Sequence, residues 1–232
     1  MKKKIVVIGA SGHAKVIIDI IEREDKYEVL GLIDSYKEKG GKTFGYAILG
    51  TEKILPQLIE EEDLFGGILA IGDNYIRKEL FFKIKKIQPN FRYINAIHPH
   101  AVIGAKVKIG KGVVIMPGVI VNTQSKIDDF CILNTKSTLD HECRMREFSS
   151  LGPGTNVGGN VSIGECTAIS LGAKVIENIT IGKHAVIGAG ALVIRNVGDF
   201  KIAFGVPAKE VRTREIGEGY LAGNKAKRKV KE

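Results

Sequence analysis

Asp140, His141 and Glu142 set one imidazole between two carboxylates in the middle of the chain. A free histidine titrates at about pH 6.5, so such a ring can take a proton at neutral pH if a substrate reaches it. The flanking acids can orient the ring and stabilise its protonated form. On these residues alone, a histidine beside acids is more often a plain surface residue.

A second set of residues lies near the amino terminus. Gly9, Ala10, Ser11, Gly12 and His13 follow the apolar run Ile5–Ile8, Asp34 follows Tyr27–Ile33, and Gly72, Asp73 and Asn74 follow Gly67–Ile71. In parallel sheets ligands bind beyond the carboxyl ends of the strands, where all three groups fall. Gly9 and Gly12 can let the backbone approach a phosphate at the positive end of the next helix, or can simply make tight turns. Asp34 stands about twenty residues past the glycine turn, as the ribose ligand of a dinucleotide domain would. The turn reads GxxGH, however, and lacks the GxGxxG spacing. His98, His100, His141 and His184 show no metal-ligand spacing, so no catalytic metal is expected.

The elements that hold these residues are of two kinds. Ala14, Ile17, Ile18 and Ile21 recur at helical spacing after the first apolar run, and a helix through Arg77 and Leu80 follows the third. Strand, helix, strand order predicts an α/β domain with a Rossmann-like parallel sheet over residues 1–97. Beyond it the pattern changes. From Ile103 to Val193 every sixth residue is aliphatic, through sixteen hexads, and the residue two before each is almost always small or Val. That alternation suits a narrow core and predicts the stacked coils of a parallel β-helix over 98–212. The residue after each large aliphatic is Gly, Asn or Asp in most hexads, as in Gly104, Gly110, Asn122, Asp128 and Asn134, and is expected at a tight or left-handed corner.

The 232-residue chain carries a net charge of +9, which points to anionic ligands. Lys225, Lys227, Arg228, Lys229 and Lys231 supply part of it, as a solvated basic tail expected over 213–232. There is no Trp and no interleaving of aromatics with basic residues, so a base-stacking nucleic-acid surface lacks support. Of three cysteines, Cys131 and Cys143 fall in the small inward row, so packed thiols and a cytoplasmic protein are expected. Lys2–Lys4 and Ile5–Ala10 imitate a signal peptide, but His13, Lys15 and Asp19 interrupt it, and no run is long enough to span a membrane.

The hexad pattern resembles the hexapeptide-repeat acyltransferases, whose fold is a left-handed parallel β-helix with three hexads to a coil. Gly9–His13, Ile33 and Asp34, Ala70–Asn74, and Ile97, His98 and Pro99 narrow the resemblance to bacterial sugar acetyltransferases. These include the UDP-4-amino-sugar N-acetyltransferases of bacillosamine biosynthesis and the sialic acid O-acetyltransferases. The likeness runs from residue 3 to about residue 212. It implies acetyl-CoA-dependent acetylation of the amine of a nucleotide-linked, UDP-carried 4-amino-4,6-dideoxy sugar, by direct transfer in a homotrimer with pockets between adjacent β-helices. By the same likeness Gly12, His13, Asp34 and Asn74 hold the nucleotide sugar, and Asn134 lies near the acceptor. His141 is the general base, Glu142 supports it, and the Gly159 amide faces the thioester carbonyl. Gly188, Ala189, Pro207 and Lys209 contact acetyl-CoA. Many members carry a second histidine where this chain has Ser150. Sugar O-acetylation and a non-catalytic nucleotide-sugar-binding module are the alternatives.

Overall fold

A computed structural model describes residues 2–221. Its first part is a parallel sheet of β1 (Lys3–Ile8), β2 (Tyr27–Ile33), β4 (Tyr46–Gly50) and β5 (Gly66–Leu69), with β3 (Lys42–Thr43) added antiparallel to β4. The strand order is β3-β4-β2-β1-β5. Helices α1 (Gly12–Glu24), α2 (Leu55–Glu62) and α3 (Asn74–Ile87) cover it. Ile5, Val6, Val7 and Ile8 are all buried, as the continuous apolar run of a strand covered on both faces requires. The sequence points to β1, β2 and β5; the short β3–β4 hairpin, whose residues carry little periodicity, is additional.

The second part is the left-handed β-helix. Sixteen two-residue strands run from β7 (Val102–Ile103) to β22 (Leu192–Val193). As far as Lys174–Val175, each pairs in parallel with the strand eighteen residues on, as Ile120 and Val121 do with Thr138 and Leu139. One coil is therefore three hexads. From Val113 and Ile115 onward the small row and the aliphatic row, Cys131 and Cys143 included, are buried along the axis of the prism. The coil starts earlier than residue 98: β6 (Ala96–Ile97) already pairs with Val114 and Ile115.

The corners differ from expectation. The left-handed residue is the third after the large aliphatic, not the first: every sixth residue from Lys106 to Gly190 has φ between 54° and 71°. Only five of these fifteen are glycine. Each from Gln124 onward donates its N–H to a carbonyl of the preceding coil, as Glu142 does to Thr123 O at 3.1 Å. That bond helps offset the roughly 1 kcal/mol a side chain costs in this conformation. The glycines just after the large residues serve packing instead. A Cβ on Gly158 would lie 2.8 Å from the Glu177 nitrogen, and one on Gly152 2.6 Å from Leu171 nitrogen.

Side chains at the left-handed positions point outward and stack from coil to coil. At one corner Phe130 and Phe148 lie parallel with centroids 5.0 Å apart. Helix α3 docks on this column through Phe81, 4.8 Å from Phe130. Arg77, 1% exposed, inserts beside it. Its guanidinium donates to the carbonyls of Phe130 and Phe148 on the β-helix, to those of Ile71 and Gly72, and to Asn74 Oδ1. The two parts of the chain are thus joined by a buried cation bonded to neutral oxygens.

After the last coil, β23 (Lys201–Gly205) and β24 (Ala208–Thr213) form a hairpin. Residues 214–221 are largely exposed, as a solvated tail would be, but they pack onto the fold at a few points. Arg214 is buried, Tyr220 receives the Asn74 N–H at 3.2 Å, and Leu221 lies against Gly72. Residues 222–232, with the lysine cluster, lie outside the described residues.

Candidate active site

His141 stands at the corner formed by residues 122–124, 140–142 and 158–160 of successive coils, its side chain half exposed. Its Nδ1 is 3.1 Å from Glu142 Oε2. An ionised carboxylate only accepts, so the neutral ring carries its proton on Nδ1 and presents the Nε2 lone pair. Glu142 occupies the left-handed position with φ 58°, which aims its carboxylate back at the ring. Asp140 does not share that task, contrary to the expectation that both acids orient the imidazole. Its Oδ1 accepts from the His141 backbone N–H at 2.8 Å and from Asn122 Nδ2 at 2.7 Å. The Asn122 hydrogen bond, and then the backbone one, hold the Asp140 carboxyl below its ordinary pKa.

Gly159 lies one coil on, directly under the ring. A Cβ there would sit 2.6 Å from both Cε1 and Nε2 of His141, so only a bare Cα leaves the imidazole this position. The Gly159 N–H donates to no acceptor among the described residues, whereas the neighbouring amides of Gly158 and Asn160 bond to Val175 O and His141 O. An unpaired donor and an imidazole nitrogen therefore share one corner.

Asn134, Gly188 and Ala189 lie at a different corner, one side of the triangle away. Asn134 Nδ2 donates to Leu151 O at 2.9 Å. Gly188 abuts the hairpin, where a Cβ would meet Phe204 Cβ at 2.6 Å. Pro207 and Lys209 are exposed in that hairpin above the same corner. Ser150 belongs to neither corner. It is buried on another face, its hydroxyl turned to Tyr220.

The amino-terminal candidates divide as well. The glycine loop forms where β1 ends: a Cβ on Gly9, at φ +117°, would come within 2.7 Å of Ala70 O, so the loop needs a glycine. Gly12 is exposed at the start of α1, whose cap residue Ser11 makes no side-chain hydrogen bond to it. Amides there remain available to an anion. Asp34 is a loop brace: Oδ2 accepts from Ala10 N–H at 2.8 Å and Oδ1 from the N–H groups of Tyr36 and Lys37. The Lys37 ammonium, which sequence reasoning missed, holds the same loop from its other side through Ala10 O at 2.6 Å.

Asn74 does not face a ligand. It is fully buried, with Nδ2 donating to Thr167 O at 3.1 Å and Oδ1 accepting from Arg77. His13 is turned inward beside Arg77. Burial, and then the Arg77 charge, lower its pKa to about 4, and its Nε2 is buried with no hydrogen-bond partner. Asn74 and His13 thus belong to the seam between the two parts. A cavity of about 430 Å³ does open beyond the strand ends, from Gly9 past Asp34 and Ser35 to Glu52 and Lys83.

A family model described as the PglD N-terminal domain matches residues 4–84. The fold also superposes on a GDP-perosamine N-acetyltransferase of Caulobacter crescentus, solved as a histidine-to-alanine variant with CoA and GDP-perosamine. The TM-score is 0.84 and the identity 37%, over 90% of this chain and 97% of that one. The chain belongs to the hexapeptide-repeat amino-sugar acetyltransferases. The acetyltransferase domain of PglB from Neisseria gonorrhoeae, in complex with acetyl coenzyme A, is 30% identical over 91% of this chain and all of that one, with a TM-score of 0.82. A UDP-N-acetylbacillosamine N-acetyltransferase of Bacillus subtilis is 33% identical over 120 residues, spanning about half of each protein (49% and 51%). Membership accounts for the fold and the glycine loop together. Among the described residues no group of three or more His, Cys, Asp or Glu could hold a metal ion, and no helix is long and apolar enough to cross a membrane.

Proposed function

We propose that this protein transfers the acetyl group of acetyl-CoA to the amine of a nucleotide-linked amino sugar, with His141 as general base. The observation that carries the assignment is the stacking of His141 on Gly159, with Nδ1 tied to Glu142 and Nε2 free. The nitrogen lone pair of the acceptor attacks the thioester carbonyl, forming the N–C bond. His141 Nε2 takes the proton that the nitrogen sheds, and the Gly159 amide donates to the developing oxyanion. The C–S bond then breaks, and the departing CoA thiolate recovers a proton from the imidazolium. No acyl-enzyme is needed. Cys131, Cys143 and Cys166 are buried, and burial raises each thiol's pKa to about 11 or 12.

Relatives of this fold act on UDP- and GDP-linked amino sugars by their names. The cavity at the strand ends is of a size to take a nucleotide, its diphosphate lying on the glycine loop and the start of α1. A trimer would complete the site, since Asn134 and the acetyl-CoA candidates stand at a different corner from His141. Apolar side chains left open on the β-helix, such as Val102 and Leu171 at 59% exposure each, are consistent with neighbouring copies. The test is turnover of His141→Ala with acetyl-CoA and a nucleotide-linked 4-amino sugar. A fall of about 100-fold or more in kcat is expected, with an unchanged circular dichroism spectrum. Near-native turnover removes His141 as the base.

A further inference from the structure

The cavity beyond the strand ends has a direction. Gly9 of the phosphate loop is at one end, Asp34 and Ser35 at the end of β2 come next, and Glu52 and Lys83 close the other end, between a 3-10 turn (Glu52–Ile54) and α3. A nucleoside diphosphate laid along it with the diphosphate at Gly9 brings its base to Glu52. Apolar walls from Ile76 and Leu80 there suit the faces of a flat ring. The polar groups at that end are unusual for a loop. The Glu52 side chain is only 2% exposed, its Oε1 paired with Lys83 Nζ at 2.6 Å and its Oε2 accepting from Ser35 Oγ at 2.8 Å. Burial alone would raise its pKa, but the bonds from Lys83 and Ser35 outweigh burial and hold it below the ordinary glutamate value. The group is a carboxylate at neutral pH.

We propose that Glu52 reads the base of the nucleotide carrier, and that the base it selects is guanine. A carboxylate has about four lone-pair directions; Ser35 and the Glu52 backbone N–H use two, and Lys83, which holds a third, frees it by moving onto the base. The remaining two match adjacent donors. Guanine offers N1–H and N2–H side by side, with the O6 acceptor next to them for the Lys83 ammonium. Uracil and thymine place one N–H between two carbonyls, so a carboxylate gaining that hydrogen bond sets its second oxygen against a carbonyl oxygen. Lys83 is 53% exposed and has room to adjust as a base enters. Asp34 is a poor rival for this task, because both its oxygens already hold backbone amides.

The inference rests on the proposed acetyltransferase reading, and calorimetric titration of the full chain separates the two. GDP, IDP, UDP and dTDP are the probes, IDP being GDP without the N2 amine. GDP is expected to bind about 10-fold or more tightly than each of the others, the discrimination of a good bidentate pair. Glu52→Gln, which presents one acceptor and one donor, is expected to erase the difference between GDP and IDP. Equal or tighter binding of UDP or dTDP by the native chain overturns the assignment, as does an unchanged GDP to IDP ratio in the variant. Should Glu52→Gln fail to fold, the four native affinities still decide. Acetylation of a UDP-linked amino sugar with no preference for GDP sinks the guanine assignment alone. No binding of any nucleotide and no transfer from acetyl-CoA sinks the parent reading with it.

Discussion

His141 gains its chemical direction from two contacts that belong to different coils. Glu142 fixes which nitrogen carries the proton, and Gly159 leaves the space in which the other can meet a substrate. The imidazole and its acid are legible in the sequence as neighbours. Their division of labour is not, because it depends on the left-handed corner that turns Glu142 toward the ring while Asp140 is consumed by backbone. Gly159 offers a direct test. Its backbone does not lie in the left-handed region, so Gly159→Ala adds a methyl without torsional strain. That methyl would fall 2.6 Å from the imidazole and push the ring aside. A displacement of about 1 Å at a reacting group can cost 100-fold. Gly159→Ala is therefore expected to lower kcat by roughly that factor while leaving the Kd for nucleoside diphosphate, which on the proposed reading binds in the other part of the chain, within about twofold. Native kcat in this variant would mean that the ring position is immaterial to turnover.

The coil and the helix α3 show what sequence periodicity can and cannot carry. Spacing of six specifies the coil because inward positions must repeat, and Ile103 to Val193 do so without a break. The outward left-handed positions follow no composition rule, since the bond to the preceding coil, rather than glycine, permits the conformation there. Phe130 and Phe148 were therefore unreadable as a docking column, although two aromatics one coil apart in an outward register were the available signal. Asn74 misled for a related reason. A loop at a strand end can face a ligand or a neighbouring layer, and only the packed structure decides between them. Here Arg77 and Asn74 use that loop to fasten α3 to the β-helix. Replacing Arg77 by Met removes every guanidinium bond and leaves buried carbonyls of Ile71, Gly72, Phe130 and Phe148 to find other partners. Unsatisfied buried groups cost about 1–3 kcal/mol each, partly relieved by relaxation. Arg77→Met is expected to lose about 3 kcal/mol or more in denaturant unfolding, with the amino-terminal part melting ahead of the β-helix. A stability loss below about 1 kcal/mol would show that the seam does not depend on this cation.

Across the whole molecule the candidate residues form two half-sites on one triangular prism. His141, Glu142 and Gly159 mark one corner, and Asn134, Gly188 and Ala189 another, with Pro207 and Lys209 in the hairpin above the second. Asn134 and His141 are seven residues apart in the chain, and the strand Thr138–Leu139 between them puts a full side of the triangle in the gap. On the proposed reading one reaction needs both corners, so they come from adjacent protomers of a closed ring. A heterologous interface of that kind makes a sharp demand. His141→Ala and Asn134→Ala should each be nearly inactive alone, yet a mixed ring contains sites in which an intact His141 from one parent meets an intact Asn134 from the other. A doubly tagged trimer holds two copies of one variant and one of the other, so one of its three interfaces joins an intact His141 to an intact Asn134, about a third of the sites. Co-expressing the two variants with different tags and isolating doubly tagged rings should recover activity of that order, while separately purified variants mixed under conditions that prevent exchange recover none. If His141 and Asn134 served one active site within a single protomer, every site in the mixture would lack one of them and no recovery would occur.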